Sequence, residues 1–266
     1  MLKTNNIYNI DSIDGLKKIP NESCQIIIAD PPYFRAVKEK WDNQWSSLDE
    51  YLEWSDKWIN ECIRILKPKG TMYIYGFSET LAYIFVRIHA NKRWLIWHYT
   101  NKNVPSLNFW QRSHESIICV WKFDKPDFNR DDVRVPYTDN FLKNSAGKIR
   151  TPTSGRFGNK KLTTYTANKN GALPRDVINI PALAGGAGHN EKVNHPTQKP
   201  LKLCDVLIKA SKNKIGDNIV LVPFVGSGSE CVSAILNRCD FIGFELNKSY
   251  YKLALKRTRE TARDKV

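Results

Sequence analysis

The chain has 266 residues, and 41 Lys and Arg outnumber 27 Asp and Glu to give a net charge of +14 and a pI near 9.5. A chain of this length buries a full-sized core, because single domains run to roughly 250 residues, so one α/β domain with an insertion is expected; the cation excess favours a polyanionic partner over an acidic or neutral one. Cys24, Cys62, Cys119, Cys204, Cys231 and Cys239 form no C-x-x-C pair, no apolar run reaches the roughly 18 residues of a membrane span, and the Met1-Leu2-Lys3 start lacks a signal-peptide pattern, so the expectation is a cytoplasmic protein with buried thiols, no metal site and no membrane partner.

In chain order, short apolar runs that end in loops alternate with helical patterns, which indicates parallel β-α-β units. The first predicted strand, residues 25–29, runs into Asp30-Pro31-Pro32-Tyr33. The prolines fix φ and remove two donors, which leaves carbonyls free of competing N–H groups. An acid, a free carbonyl and an aromatic ring suit a planar, amine-bearing base: two acceptors facing the amine hydrogens draw the nitrogen toward tetrahedral geometry, and the ring stacks on the base. The plain alternative is an ordinary Pro-Pro turn after an Asp.

Ser47-Leu48-Asp49-Glu50 reads as a capping box, and Leu48, Tyr51, Leu52, Ser55, Trp58, Ile59, Cys62 and Ile63 trace one helical face before Pro68-Lys69-Gly70. Strands are predicted over residues 71–75, 94–98 and 116–121, with a helix over 79–89. Periodicity disappears over 123–193, the candidate insertion. Within it, residues 141–175 hold Lys143, Lys148, Arg150, Arg156, Lys160, Lys161, Lys169 and Arg175 without an Asp or Glu, and with Phe157 and Tyr165 among them. Cations mixed with aromatics suit phosphate contact together with base stacking; a solvated loop is the alternative.

His195-Pro196-Thr197-Gln198-Lys199-Pro200 precedes a predicted helix over 201–212 and supplies hydroxyl, amide and ammonium groups, or only a capped helix start. A strand over 218–222 then enters Pro223-Phe224-Val225-Gly226-Ser227-Gly228-Ser229, whose glycines allow a sharp turn and close approach to a ligand before a helix over 229–238. Glu245 ends the next strand, 240–244, about twenty residues after the glycines, the spacing at which an acid in a Rossmann-type unit holds a ribose. Cys231 stands where a third glycine would complete G-x-G-x-x-G, which disfavours a dinucleotide. A final helix is predicted over 249–263.

With these motifs in this order, the chain resembles the permuted β group of DNA amino methyltransferases, which modify adenine N6 or cytosine N4. The resemblance extends to Asp11, to Trp41-Asp42 and to Arg112-Ser113-His114-Glu115. It implies a Rossmann-like fold with a doubly wound, mostly parallel sheet: residues 1–122 form the catalytic part, 123–193 a target-recognition insertion, and 194–266 the cofactor part. S-adenosylmethionine is the implied cofactor and double-stranded DNA the implied partner; a homodimer and a cognate restriction endonuclease are left open.

Carried over by residue, Asp30, Pro31, Pro32 and Tyr33 are the catalytic loop. Asp11, Asp30, Thr197, Gln198, Lys199, Phe224, Gly226, Ser227, Gly228, Ser229 and Glu245 are the expected cofactor contacts. Lys148, Arg150, Arg156, Lys160 and Lys161 are the expected DNA contacts. Asp at position 30 is typical of adenine-N6 members, and Ser of cytosine-N4 members. Two positions depart from the family pattern: Val222 stands where an acid is usual, and Glu230 where a small hydroxyl residue is usual, which suggests that Glu230 partly replaces the missing acid.

Overall fold

The computed structural model describes residues 2–101, 107–145, 167–186 and 188–264, together with the backbone of 149–150 and 163–164. From the N-terminus run β1 (Asn6–Tyr8), α1 (Ser12–Leu16), β2 (Cys24–Ala29), α2 (Leu48–Ile65), β3 (Leu66–Gly76), α3 (Ser78–Arg87), β4 (Asn91–His98) and β5 (His114–Trp121). Then come α4 (Asp139–Asn144), β6 (Ile149–Arg150) and β7 (Thr163–Thr164). The chain closes with β8 (Val177–Asn179), α5 (Leu201–Ser211), β9 (Ile219–Val222), α6 (Ser229–Leu236), β10 (Asp240–Phe244) and α7 (Lys248–Arg263).

Eight strands form one sheet in the order β1-β10-β9-β2-β3-β5-β4-β8. The run from β1 to β3 is parallel, β5 pairs antiparallel with both β3 and β4, and β8 is parallel to β4. All six residues of β2 are buried, because helices cover both faces of the sheet and a central strand then needs an unbroken apolar run. On one face Trp58, Ile59, Cys62 and Ile65 of α2 pack with Leu16, Ile27 and Met72. On the other, Leu203, Leu207 and Ile208 of α5 and Ala234 of α6 pack with Ile26, Ile28 and Tyr73. Each such large side chain, once buried, contributes about 1.5–3 kcal/mol.

Half of the capping box forms: the Ser47 side chain accepts from Glu50 N at 3.2 Å, whereas the Glu50 carboxylate accepts from Ser46 N at 2.8 Å, one residue before the cap. Helix α2 ends at Ile65, and Pro68-Lys69-Gly70 lies inside β3, where Cys24 pairs with Leu66 and Ile26 already with Thr71. That register shift lets Pro68, which has no N–H to donate, sit exposed on an irregular stretch of the ladder. Elements too short to show a period, namely β1, α1, α4, β6, β7 and β8, escaped the sequence reading.

Two compact units are present, residues 129–175 and the remainder. The larger unit therefore takes in both flanks of the 123–193 stretch, and β8 lies on the edge of its sheet. In the smaller unit, Val135 and Ala172 form an antiparallel bridge, Arg134 donates to the Gly171 carbonyl at 2.8 Å, and β6 pairs with β7. Arg150 belongs to β6; Lys148, Arg156, Lys160 and Lys161 lie outside the described residues. Cys119 is half-buried, and the other five cysteines are buried free thiols. Among the described residues no helix is long and apolar enough to cross a membrane.

Candidate active site

β2 and β9 are neighbours in the middle of the sheet, so the loops at their carboxyl ends open onto one crevice, the place where doubly wound sheets bind ligands. A cavity of about 1070 Å³ lies there.

The loop after β2 is held open by a buried carboxylate. Asp42, fully buried, accepts from Tyr33 N at 2.6 Å, Ala36 N at 2.5 Å and Val37 N at 2.8 Å. Burial raises its pKa and those N–H groups pull it back. Phe34 and Arg35 between them take φ of 63° and 61°, a conformation that costs non-glycine residues of order 1 kcal/mol and persists only when neighbours impose it. The Tyr51 hydroxyl donates to the Pro32 carbonyl at 2.7 Å, whereas among the described residues no donor reaches that of Pro31.

Asp30 sits in a buried charge cluster. Lys199 Nζ donates to Asp30 Oδ2 at 2.8 Å and lies 3.4 Å from Glu115 Oε2. The Tyr33 hydroxyl donates to Asp30 Oδ1 at 2.7 Å and reaches Glu115 Oε2 at 3.0 Å; Tyr99 donates to Glu115 Oε1 at 2.7 Å. Burial raises the Asp30 carboxyl and the Lys199 charge opposes it. For Lys199 burial works against the charge, but Asp30 and Glu115 outweigh it and hold the ammonium protonated. The Tyr33 ring meets Phe77 edge-on at 5.1 Å, and the Arg112 guanidinium lies 4.2 Å above Phe77.

The loop after β9 turns on Gly226 (φ 49°) and Gly228 (φ 83°). A Cβ on Gly226 would stand 2.9 Å from His195 Nε2, so the backbone there admits only glycine without displacement. Burial, and then the Lys199 charge, lowers the His195 pKa to about 4, so the ring is neutral at pH 7. Glu245 accepts from Gly226 N and Asn247 N, each at 2.7 Å and each through a different oxygen, which fixes its carboxylate and leaves lone pairs for two hydroxyls. Asp11 caps α1, accepting from Ile13 N at 2.9 Å. Phe224 packs edge-on against Trp58 at 5.2 Å. A fixed acid and a glycine turn beside aromatic surface fit a nucleoside.

Of the residues expected from sequence, Asp11, Asp30, Pro31, Pro32, Tyr33, Thr197, Gln198, Lys199, Phe224, Gly226, Ser227 and Glu245 line the cavity. Their contacts divide the roles differently within the H-P-T-Q-K-P segment. Gln198 clamps its own loop, accepting from Val193 N and donating to the Glu191 carbonyl, both at 2.8 Å, and Lys199 is bound to the catalytic loop. Gly228 and Ser229 lie behind the wall: Gly228 abuts Ala254, and the fully buried Ser229 hydroxyl meets Ser227 and Arg257. Tyr99, Trp97 and Tyr250 also line the cavity and were not singled out from sequence; His195, which opens the H-P-T-Q-K-P segment, and Glu230, expected to replace in part the missing acid, line it too. Glu115 and Asp42 stood within recognised motifs, but without a role.

With this geometry in place, comparison with known proteins is specific. The family model for DNA methylase, covering N6 and N4 methyltransferases, matches residues 24–256. The chain is 32% identical over 260 residues to the DNA adenine methyltransferase YhdJ of Escherichia coli K12, across 94% of this chain and 81% of that protein. Its fold is similar to that of the cytosine-N4-specific PvuII DNA methyltransferase, with a TM-score of 0.67 at 16% identity over 99% and 92% of the two chains. It is also similar to M1.HpyAVI in its complex with SAM, with a TM-score of 0.58 at 23% identity over 95% and 98%. The fold is thus shared with these structures, and the family match together with the likeness to YhdJ shows that the chain belongs to the N6/N4 DNA methyltransferase family.

Proposed function

We propose that the protein methylates N6 of adenine in a specific duplex DNA sequence, on a base turned out of the helix, within a restriction-modification context. S-adenosylmethionine is the cofactor and supplies an electrophilic methyl group on a sulfonium centre. Glu245, the Gly226 turn, Phe224 and Asp11 are placed to hold its nucleoside.

The observation that carries the reading is that Asp30 and Pro31, whose carbonyl no donor among the described residues reaches, share the cavity wall with that cofactor loop. An extruded amine there meets two acceptors, one for each hydrogen, which turns its lone pair out of conjugation with the ring. Asp30 Oδ1 already accepts from Tyr33 but has a second lone pair for the base. Lys199 favours the ionised form of Asp30, which suits it as an acceptor during transfer and as the place where the amine proton goes afterwards. The Tyr33 ring supplies a stacking face. Extrusion costs a few kcal/mol, offset by these contacts. The Asp at position 30 and the likeness to YhdJ favour adenine.

Cytosine N4 is the second reading, because that amine presents the same two hydrogens and the fold is shared with a cytosine-N4 enzyme. Labelled S-adenosylmethionine and mixed-sequence duplex DNA, digested to nucleosides after reaction, separate the readings: label in N6-methyladenosine is expected, and label in N4-methylcytosine overturns adenine. Asp30→Ala should abolish transfer and leave cofactor affinity within about threefold. The basic 141–175 stretch is the proposed DNA-reading element. Charge reversal at Lys148, Arg156, Lys160 and Lys161 should weaken duplex binding and flatten its salt dependence.

A further inference from the structure

Glu230 is the second residue of α6, only 3% exposed, and it lines the cavity. Beyond its own backbone N–H, the described residues offer its carboxylate one donor, the Cys204 thiol, 3.6 Å from Oε1. A thiol is a weak donor, and a buried carboxylate with so little to satisfy it is costly. The two buried cations nearby are committed elsewhere: Lys199 to Asp30 and Glu115, and Arg257 to the Ser227 carbonyl at 2.6 Å and to Ser229. Three acids, Asp30, Glu115 and Glu230, thus surround one ammonium in the cavity floor. Among the described residues no cation pairs directly with Glu230, although Lys199 and Arg257 act on it at longer range.

The cofactor brings one. S-adenosylmethionine carries an α-ammonium with three N–H donors, and the glycine turn that cradles its nucleoside leads within two residues into Glu230. The end of β9 offers no alternative acid, since Val222 is apolar and fully buried. We infer that Glu230 is the group in the cavity wall that receives the α-ammonium of the cofactor.

The charge state of Glu230 then becomes part of binding. Burial, and next the charge of Asp30, pushes its carboxyl up to about 7. A cofactor that requires the ionised form must therefore expel a proton in neutral or acidic solution. Among the groups facing it, Cys204 on α5, Cys231 on α6 and Tyr75 on β3 are pushed well above their ordinary values by burial. Lys199 remains protonated, and Arg257 on α7 is lowered by burial, which the charge of Glu230 opposes. Asp30 and Glu115 complete the surrounding charges; β9 and β10, which pack under α6, add only apolar side chains here.

The test is calorimetric binding of two ligands to the whole protein at pH 6 and pH 8, in buffers of different ionisation enthalpy. S-adenosylhomocysteine carries the α-ammonium, and 5′-methylthioadenosine lacks it. For the unaltered protein, S-adenosylhomocysteine should bind about tenfold more weakly at pH 6, with proton release, while methylthioadenosine shows no such loss. Glu230→Gln should weaken S-adenosylhomocysteine about tenfold at pH 8, remove the pH dependence, and leave methylthioadenosine unchanged; Glu230→Asp should restore part of the pH dependence. Wild-type affinity and pH profile in Glu230→Gln overturn the inference. Equal loss of both ligands overturns it too, because the residue would then be supporting the pocket rather than the ammonium.

Discussion

Lys199 Nζ lies 2.8 Å from Asp30 Oδ2, a bond between residues 169 positions apart. It ties the segment that leads into the cofactor half of the sheet directly to the catalytic loop. A single buried ammonium thus opposes the burial that raises the acceptor's pKa, and it joins two motifs that the chain keeps far apart.

Lys199→Met should therefore do more than remove a charge. Asp30 and Glu115 would be left sharing the Tyr33 hydroxyl, and one of them would take up a proton. Removing one partner of a buried pair costs about 3–5 kcal/mol, so the melting temperature should fall clearly, and single-turnover methyl transfer should slow about 100-fold or more. An unchanged rate would show that Asp30 does not depend on Lys199.

Asp42→Ala leaves three loop N–H groups without their acceptor while Phe34 and Arg35 still require left-handed backbone. At about 1 kcal/mol for each lost bond the loop should open. Limited proteolysis within residues 34–40 should speed up and KM for duplex DNA should rise, with S-adenosylhomocysteine affinity changed less than about threefold.

Gly226→Ala places a methyl group against His195 and forces an L-residue to φ 49°. Cofactor affinity should drop about tenfold by calorimetry. Trimming the obstacle in a Gly226→Ala/His195→Ala pair should recover part of that loss, which a general folding defect would not allow.

Without cofactor, Glu230 should destabilise the protein as pH rises. Its folded-state pKa, about 7, exceeds the ordinary 4.5, so below 4.5 the carboxyl is neutral in both states and costs nothing. Between those values the unfolded chain ionises while the folded one retains its proton, and the penalty grows to about 3 kcal/mol above pH 7. Thermal unfolding should show Glu230→Gln more stable than the unaltered protein at pH 8, and the two alike at pH 4.

The catalytic loop and the glycine turn were legible in the sequence because each is contiguous and ends a strand, and the neighbouring parallel strands β2 and β9 present their carboxyl ends at the same edge. What remained hidden was of two kinds. Elements such as β1 and β8, three residues each, are too short to carry a period. Tyr99 carries no local mark of function, and Glu115 stood in a recognised motif without a role; they matter because β5 pairs antiparallel with β3 and β4, bringing the start of β5 and the end of β4 to the edge where β2 and β9 end.

By itself, then, the order of motifs along the chain determined the class of fold, the family and the residues on either side of the crevice, since local chemistry and strand ends suffice for those. Only the tertiary structure decided how their charges are balanced: Lys199 belongs to Asp30 and Glu115, Gln198 to its own loop, and Glu230 to a buried place where no cation among the described residues pairs with it directly. Such pairings depend on distances of a few ångströms between residues far apart in sequence, and burial magnifies each of them.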